Sequence, residues 1–154
     1  MARISRVGHV VLYVSDIARS VVFYRDKLGM ELVRLEPEFA AFMSFGANHH
    51  DIALFQARGP GVSAEGGVGL AHLALVVDGG LTEVKAVHDR LEAAGVSIEE
   101  RTDHGMTQSV YFRDPDNNRL EIYCDTMPTG VSKRYLAERE GLGAPLDLDA
   151  APRS

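Results

Sequence analysis

The hydrophobic and polar positions of this chain switch between the two-residue period of strands and the longer period of helices, and they do so twice. "GHVVLYVS", residues 8 to 15, is a short apolar, β-branched run suited to a buried strand. Behind it Asp16 is placed to cap a helix in which Ile17, Val21, Tyr24 and Leu28 recur at helical spacing. Gly29 stands where a left-handed C-terminal residue is needed. Three strand-like runs follow, "MELVRLE", "FAAFMSFG" and "DIALFQA", separated by Pro37 and by "GANH". After a glycine-rich stretch the order returns. "LAHLALVV" predicts a strand, Thr82 is the expected cap of a helix with Val84, Val87 and Leu91 on its apolar side, and Gly95 ends it. "VSIEERT", "QSVYFRD" and "RLEIYCD" predict three more strands.

Overlaying "GHVVLYVSD" on "AHLALVVD" superposes His9 on His72, and overlaying "IALF" on "LEIY" superposes Ala53 on Glu121. The slightly different offsets are absorbed by insertions between strands. This is an internal duplication of a βαβββ unit of about sixty residues. The expected fold is α+β, with two tandem modules whose curved mixed sheets come together around a cleft. Module 1 covers about 5–57, a glycine-rich linker 58–68 and module 2 about 69–127, together one domain over 1–128. A tail with one short helix is expected over 129–154. The linker contains G-x-G-x-x-A at Gly59, Gly61 and Ala64, but it runs into more glycine and a strand rather than a helix, so it reads as a joint and not as a dinucleotide fingerprint.

With 154 residues, 45% hydrophobic and 25% charged, the chain is long enough for one domain with a sizeable core. Sixteen Lys plus Arg against twenty-two Asp plus Glu give a net charge of −6, and no basic cluster offers a footprint for nucleic-acid phosphates. The single cysteine, Cys124, excludes an intrachain disulfide and fits a cytoplasmic setting. The start imitates a signal peptide, with Arg3 and Arg6 before an apolar run. That run is broken by His9, ended by Asp16 and too short to span a bilayer, so it reads as a strand and no membrane partner is expected.

The duplication makes the chemistry sharper. Two imidazoles, His9 and His72, hold equivalent places on the first strands of the modules, and Glu121 lies on the last strand of the second. Its counterpart Ala53 leaves a fourth corner vacant. Two histidines and a carboxylate with open positions opposite form the arrangement that holds non-haem Fe(II), and Mn(II) suits the same ligands. A closed structural zinc site would use four protein ligands, usually including cysteine. A glutamate between Leu120 and Ile122 on an inner strand is costly unless something compensates its charge, and a metal does so.

Residues 5 to 127 resemble the vicinal oxygen chelate superfamily, whose members pair two βαβββ modules around a metal. Within it, "HDIALF" and "YFRDPDNNRLEIYCD" resemble the catalytic domain of type I extradiol catechol dioxygenases, in a single-domain form without the extra metal-free copy that larger members carry. The resemblance implies ring cleavage of a catecholic substrate with O2, and a homodimer or higher homo-oligomer. It implies Fe(II) on His9, His72 and Glu121, His50 as acid and base, Tyr111 as hydrogen-bond partner of a substrate oxygen, and His104 lining the same pocket. The "RDPDNN" stretch is tight-turn chemistry that supports the fold, not the reaction, and Cys124 should face away from the metal as packing.

Strand alternation poses a difficulty, because Asp51 and not His50 shares parity with Ala53. The resemblance requires the strand to begin after His50 or to bulge there; otherwise Asp51 becomes a fourth ligand. Other metal enzymes on this scaffold stay open: a glyoxalase-like isomerase or an epimerase, which usually draws on the fourth corner, and a fosfomycin-type thiol transferase, which does not. A drug-binding resistance protein is the non-enzymatic alternative, and such proteins tend to lose the metal ligands.

Overall fold

In the computed structural model the described residues are 4, 6–59, 70–139, 141 and 143–149. Most of the expected linker, with Gly61 and Ala64, lies outside them, as do Arg3 and residues 150–154. The chain divides into two compact units, Met1–Ala64 and Glu65–Ser154.

The first unit runs β1 (Val10–Val14), α1 (Ile17–Val22), β2 (Glu31–Glu36), β3 (Ala40–Ser44) and β4 (Ile52–Gln56). Its strands lie in the order β1-β4-β3-β2, with β1 parallel to β4 and the other pairs antiparallel. Asp16 caps α1 as its sequence position predicts, accepting from the Arg19 amide at 2.9 Å. The helix then widens into a π-helical turn over Phe23–Lys27, in which the neighbouring rings of Phe23 and Tyr24 are both buried, before Gly29 turns the chain at a φ of 77°. Alternation sends Leu12, Val14, Ile52 and Leu54 to one sheet face, where they are buried with Ile17 and Val21 of α1. Each such side chain contributes on the order of 1.5–3 kcal/mol when fully removed from water.

The second unit repeats the order: β5 (Leu73–Val76), α2 (Leu81–Ala93), β6 (Ile98–Asp103), β7 (Thr107–Arg113) and β8 (Arg119–Asp125), then α3 (Thr129–Glu138) and a short β9 (Ala144–Pro145). The strand order is β5-β8-β7-β6-β9. Helix α2 packs its Val84 and Leu91 over β7 and β8, where Val110, Phe112, Leu120, Ile122 and Cys124 are buried. Burial pushes the Cys124 thiol up, which fits a packing role. Thr82 does not cap α2. The helix starts earlier because buried Leu81 anchors its first turn, and the Glu83 carboxylate reaches back to accept from the Gly80 amide at 2.7 Å.

The registers carry the duplication into atomic detail. Val11 pairs with Ala53 across β1 and β4, and Ala74 pairs with Glu121 across β5 and β8, so Ala53 and Glu121 occupy equivalent rungs. His9 and His72 each stand one residue before the first strand of their unit. No helix among the described residues is long and apolar enough to cross a membrane.

Candidate functional site

The second unit brings four of the candidate residues together, His72, His104, Tyr111 and Glu121. The turn after β7 sets their register. Asp114 Oδ1 accepts from the amides of Asp116 and Asn118 at 2.9 and 2.8 Å, and Asn117 takes a left-handed φ of 70°. This closes β7 onto β8 so that Tyr111 stands directly opposite Glu121. Glu121 is only 7% exposed, and His72, one residue before β5, places Nε2 at 2.9 Å from its Oε2. The rings of His72 and Tyr111 meet edge to face, 5.5 Å apart. At 2.9 Å the imidazole and the carboxylate are close enough to serve as a donor pair on which a divalent cation can draw.

Tyr111 is the hub of this group. Burial, and after it the charge and hydrogen bond of Glu121, push its hydroxyl up to about 12, against the opposing influence of Arg119. The phenol therefore stays protonated at neutral pH and acts as a donor. His104, just past the end of β6, places Nε2 3.0 Å from the same hydroxyl. The Arg119 guanidinium lies 4.2 Å from the Tyr111 ring centroid and also donates to Glu99 and Glu100 at 3.0 Å. Arg119 escaped the sequence reading, although its place two residues before Glu121 on β8 gives it the same parity.

The first unit holds the remaining candidates. β4 begins at Ile52, after His50, which meets the condition set by the resemblance. The His50 ring turns toward His9, with ring centroids 4.4 Å apart, and toward Phe42, 5.3 Å away edge to face. Its Nδ1 pairs with Nδ1 of His49 at 2.6 Å. Desolvation, followed by the neighbouring His9 and His49, lowers the His50 pKa. Asp51 is occupied differently: its two oxygens accept from the Asn48 side chain at 2.6 Å and from the Phe45 amide at 2.7 Å. Burial alone would raise this carboxyl, but those hydrogen bonds hold it below its ordinary value. Asp51 is thus the brace of the β3–β4 turn, a use that leaves both carboxylate oxygens engaged.

Beside His49 and His50 lies a hollow of about 650 Å³, walled by Val33, Pro37, Phe39 and Phe42, with Arg34 and Glu36 at its edge. Arg34 and Glu36 form an ion pair with each other. Another cluster, His88, Asp89 and Glu92 on α2, has the residue types of a metal site. Arg101 donates to His88 Nε2 at 3.0 Å and to Glu92 at 2.9 Å, so the lone pair a metal would need is taken.

Among known proteins, the chain is 32% identical over 126 residues to biphenyl-2,3-diol 1,2-dioxygenase 3 of Rhodococcus globerulus, covering 80% of this chain and 65% of that one. It is 30% identical over 124 residues to lactoylglutathione lyase of Salmonella typhimurium, covering 76% and 90%. A glyoxylase/bleomycin resistance protein/dioxygenase domain from Frankia sp. EAN1pec superposes with a TM-score of 0.66 at 26% identity, over 80% of this chain and 93% of its own. The two mixed sheets and few helices of this chain match the vicinal oxygen chelate fold. Residues 6–122 match the model of one family, and the chain belongs to it: the Glyoxalase/Bleomycin resistance protein/Dioxygenase superfamily.

Proposed function

We propose that the chain is an extradiol dioxygenase that opens the ring of a catecholic substrate and places both atoms of O2 in the product. The observation that carries this reading is the second unit's arrangement, a buried Glu121 paired with His72 and flanked by a protonated Tyr111 hydrogen-bonded to His104. In this reading His72 and Glu121, with His9 of the first unit, hold Fe(II) or Mn(II), and the metal supplies the redox chemistry that joins O2 to the ring. Tyr111 donates its proton to negative charge developing on a substrate oxygen. His104, hydrogen-bonded to the same hydroxyl, fixes its direction. In the tautomer in which His50 Nδ1 donates to Nδ1 of His49, His50 Nε2 carries no proton and takes one from a catechol hydroxyl to return it later. The aromatic hollow beside His50 suits a flat ring, and its one cation is already paired with Glu36.

Similarity to lactoylglutathione lyase keeps a glyoxalase-like isomerase as the second reading. Against it stands Ala53, which offers no ligand or base at the rung equivalent to Glu121. Anaerobic loading with Fe(II), then catechol or ring-substituted catechols in air, tests the choice. Yellow ring-opened product with matching oxygen uptake, lost in Glu121→Ala, is the expected result. Absence of product from a metal-loaded protein would overturn the reading in favour of the isomerase.

A further inference from the structure

We propose that the C-terminal segment, α3 together with β9, is a clasp that positions the imidazole of His104 against the Tyr111 hydroxyl, with Arg139 as the positioning residue. The part this plays in turnover rests on the ring-cleavage reading; the clasp itself does not.

The turn between β6 and β7 is closed locally. The His104 amide donates to the Thr107 carbonyl at 2.9 Å, and the Gly105 amide donates to Asp103 Oδ1 at 2.7 Å. Those bonds bend the backbone but leave the direction of the imidazole to its surroundings, and the C-terminal segment supplies them. Just past α3, the Arg139 guanidinium donates to the carbonyl oxygen of His104 itself. The same guanidinium lies 5.6 Å from the Tyr135 ring centroid. Tyr135 is seated so close over Gly105 that a Cβ there would run into its hydroxyl, and Gly105 also has a φ of 82° that side chains rarely adopt.

β9 closes the other flank. Ala144 and Pro145 pair antiparallel with Asp103 and Thr102, the two residues before His104, and the Leu146 amide donates to the Arg101 carbonyl at 3.0 Å. Leu146 is buried there. Gly143 passes so near that a Cβ on it would sit 3.0 Å from His104 Nδ1 and 2.7 Å from Thr102 Cγ2. The tail's backbone at Gly143 thus lies beside Nδ1 of the ring, and the ring's other nitrogen stays 3.0 Å from Tyr111. A segment that merely capped the sheet edge would have no need to bind the carbonyl of His104 or to leave room for its ring.

The test uses the full chain and three variants: Arg139→Ala, Arg139→Lys and Gly143→Ala. The first removes the guanidinium, the second restores a cationic donor, and the third keeps the guanidinium but intrudes on the ring. The readout is the ring-nitrogen resonance of His104, assigned by its disappearance in His104→Gln, with Tyr111→Phe marking its position when the hydroxyl is missing. Arg139→Ala and Gly143→Ala should move the Nε2 resonance toward the Tyr111→Phe position, and Arg139→Lys should bring it back. A resonance that stays in place in both, whatever happens to thermal stability, would overturn the clasp. With Fe(II) and catechol, Arg139→Ala should lower kcat about ten-fold with little change in KM, since misplacement of a catalytic group by even an ångström is costly. If the unaltered chain turns over no catechol, the ring-cleavage reading falls while the resonance still decides the clasp.

Discussion

At the scale of the residue, the protein's most informative group is Tyr111, because its surroundings fix its protonation. A phenol buried beside Glu121 and pushed up to about 12 is a donor throughout the neutral range. Tyr111→Phe should therefore retain the metal, since it removes no proposed ligand, yet lower kcat by about 10²-fold, the typical cost of losing one preorganised donor. Single-turnover rates together with metal content check this, and retained kcat would show that the hydroxyl does not face the reacting oxygen. His50→Phe should behave alike, with metal retained and turnover crippled. The sequence placed Glu121 and Tyr111 correctly on strands, while His72, expected on the first strand of its unit, stands one residue before it. It could not choose between His50 and Asp51, because the choice rests on where β4 starts. That start depends on Asp51 binding the Phe45 amide and the Asn48 side chain, contacts made across a turn and not along a strand.

Elements hold these residues in register through their ends and edges. The β6–β7–β8 sheet is tied across its rungs by Glu99, which accepts from Arg113 and, at 3.0 Å, from Arg119. The Arg113 hydrogen bond is the main reason its carboxyl lies below the ordinary value of 4.5. A depressed folded-state pKa means the stabilisation is fully present above 4.5 and fades as the pH falls through the lower folded value. Glu99→Gln should thus lower stability by about 0.5 kcal/mol at neutral pH, a value discounted for partial exposure, and the gap to the unaltered chain should close in acid and shrink in high salt. Denaturant melts at several pH values measure it; an equal gap at acid and neutral pH would mean that the pair acts through packing. Helix α2 illustrates why element boundaries were less legible than the elements themselves. Thr82 has the residue type of a cap, yet buried Leu81 decides where the first turn begins, and burial is a tertiary property. Strand β9, only Ala144–Pro145, has no periodicity at all and exists because β6 offers it an edge.

For the whole molecule, the duplication was the strongest signal in the sequence, because a repeated βαβββ order constrains every strand at once. The registers Val11–Ala53 and Ala74–Glu121 place the vacant corner and the carboxylate on equivalent rungs. What the duplication hides is the divergence of the two open faces. In the first unit, Phe39, Phe42 and Phe55 lie within 5.6 to 6.3 Å of one another where they pair, whereas the second presents Glu121, Tyr111, Arg119 and His104. One copy offers an apolar aromatic surface and the other a cluster of polar and charged side chains. The proposed metal ligands are His9, His72 and Glu121, so a bound ion should stabilise the folded chain. At 100 times its dissociation constant a ligand adds about 2.7 kcal/mol, which for a chain of this size corresponds to a rise in Tm of about 5–10 °C. Fe(II) under nitrogen, or Mn(II) in air, should produce that rise as a single transition, and a chelator should reverse it. Glu121→Ala, His72→Ala and His9→Ala should each abolish the rise, because removing one of three ligands costs most of the affinity. A full metal-dependent rise surviving in His9→Ala would remove His9 from the ligand set and leave a site built by the second unit alone.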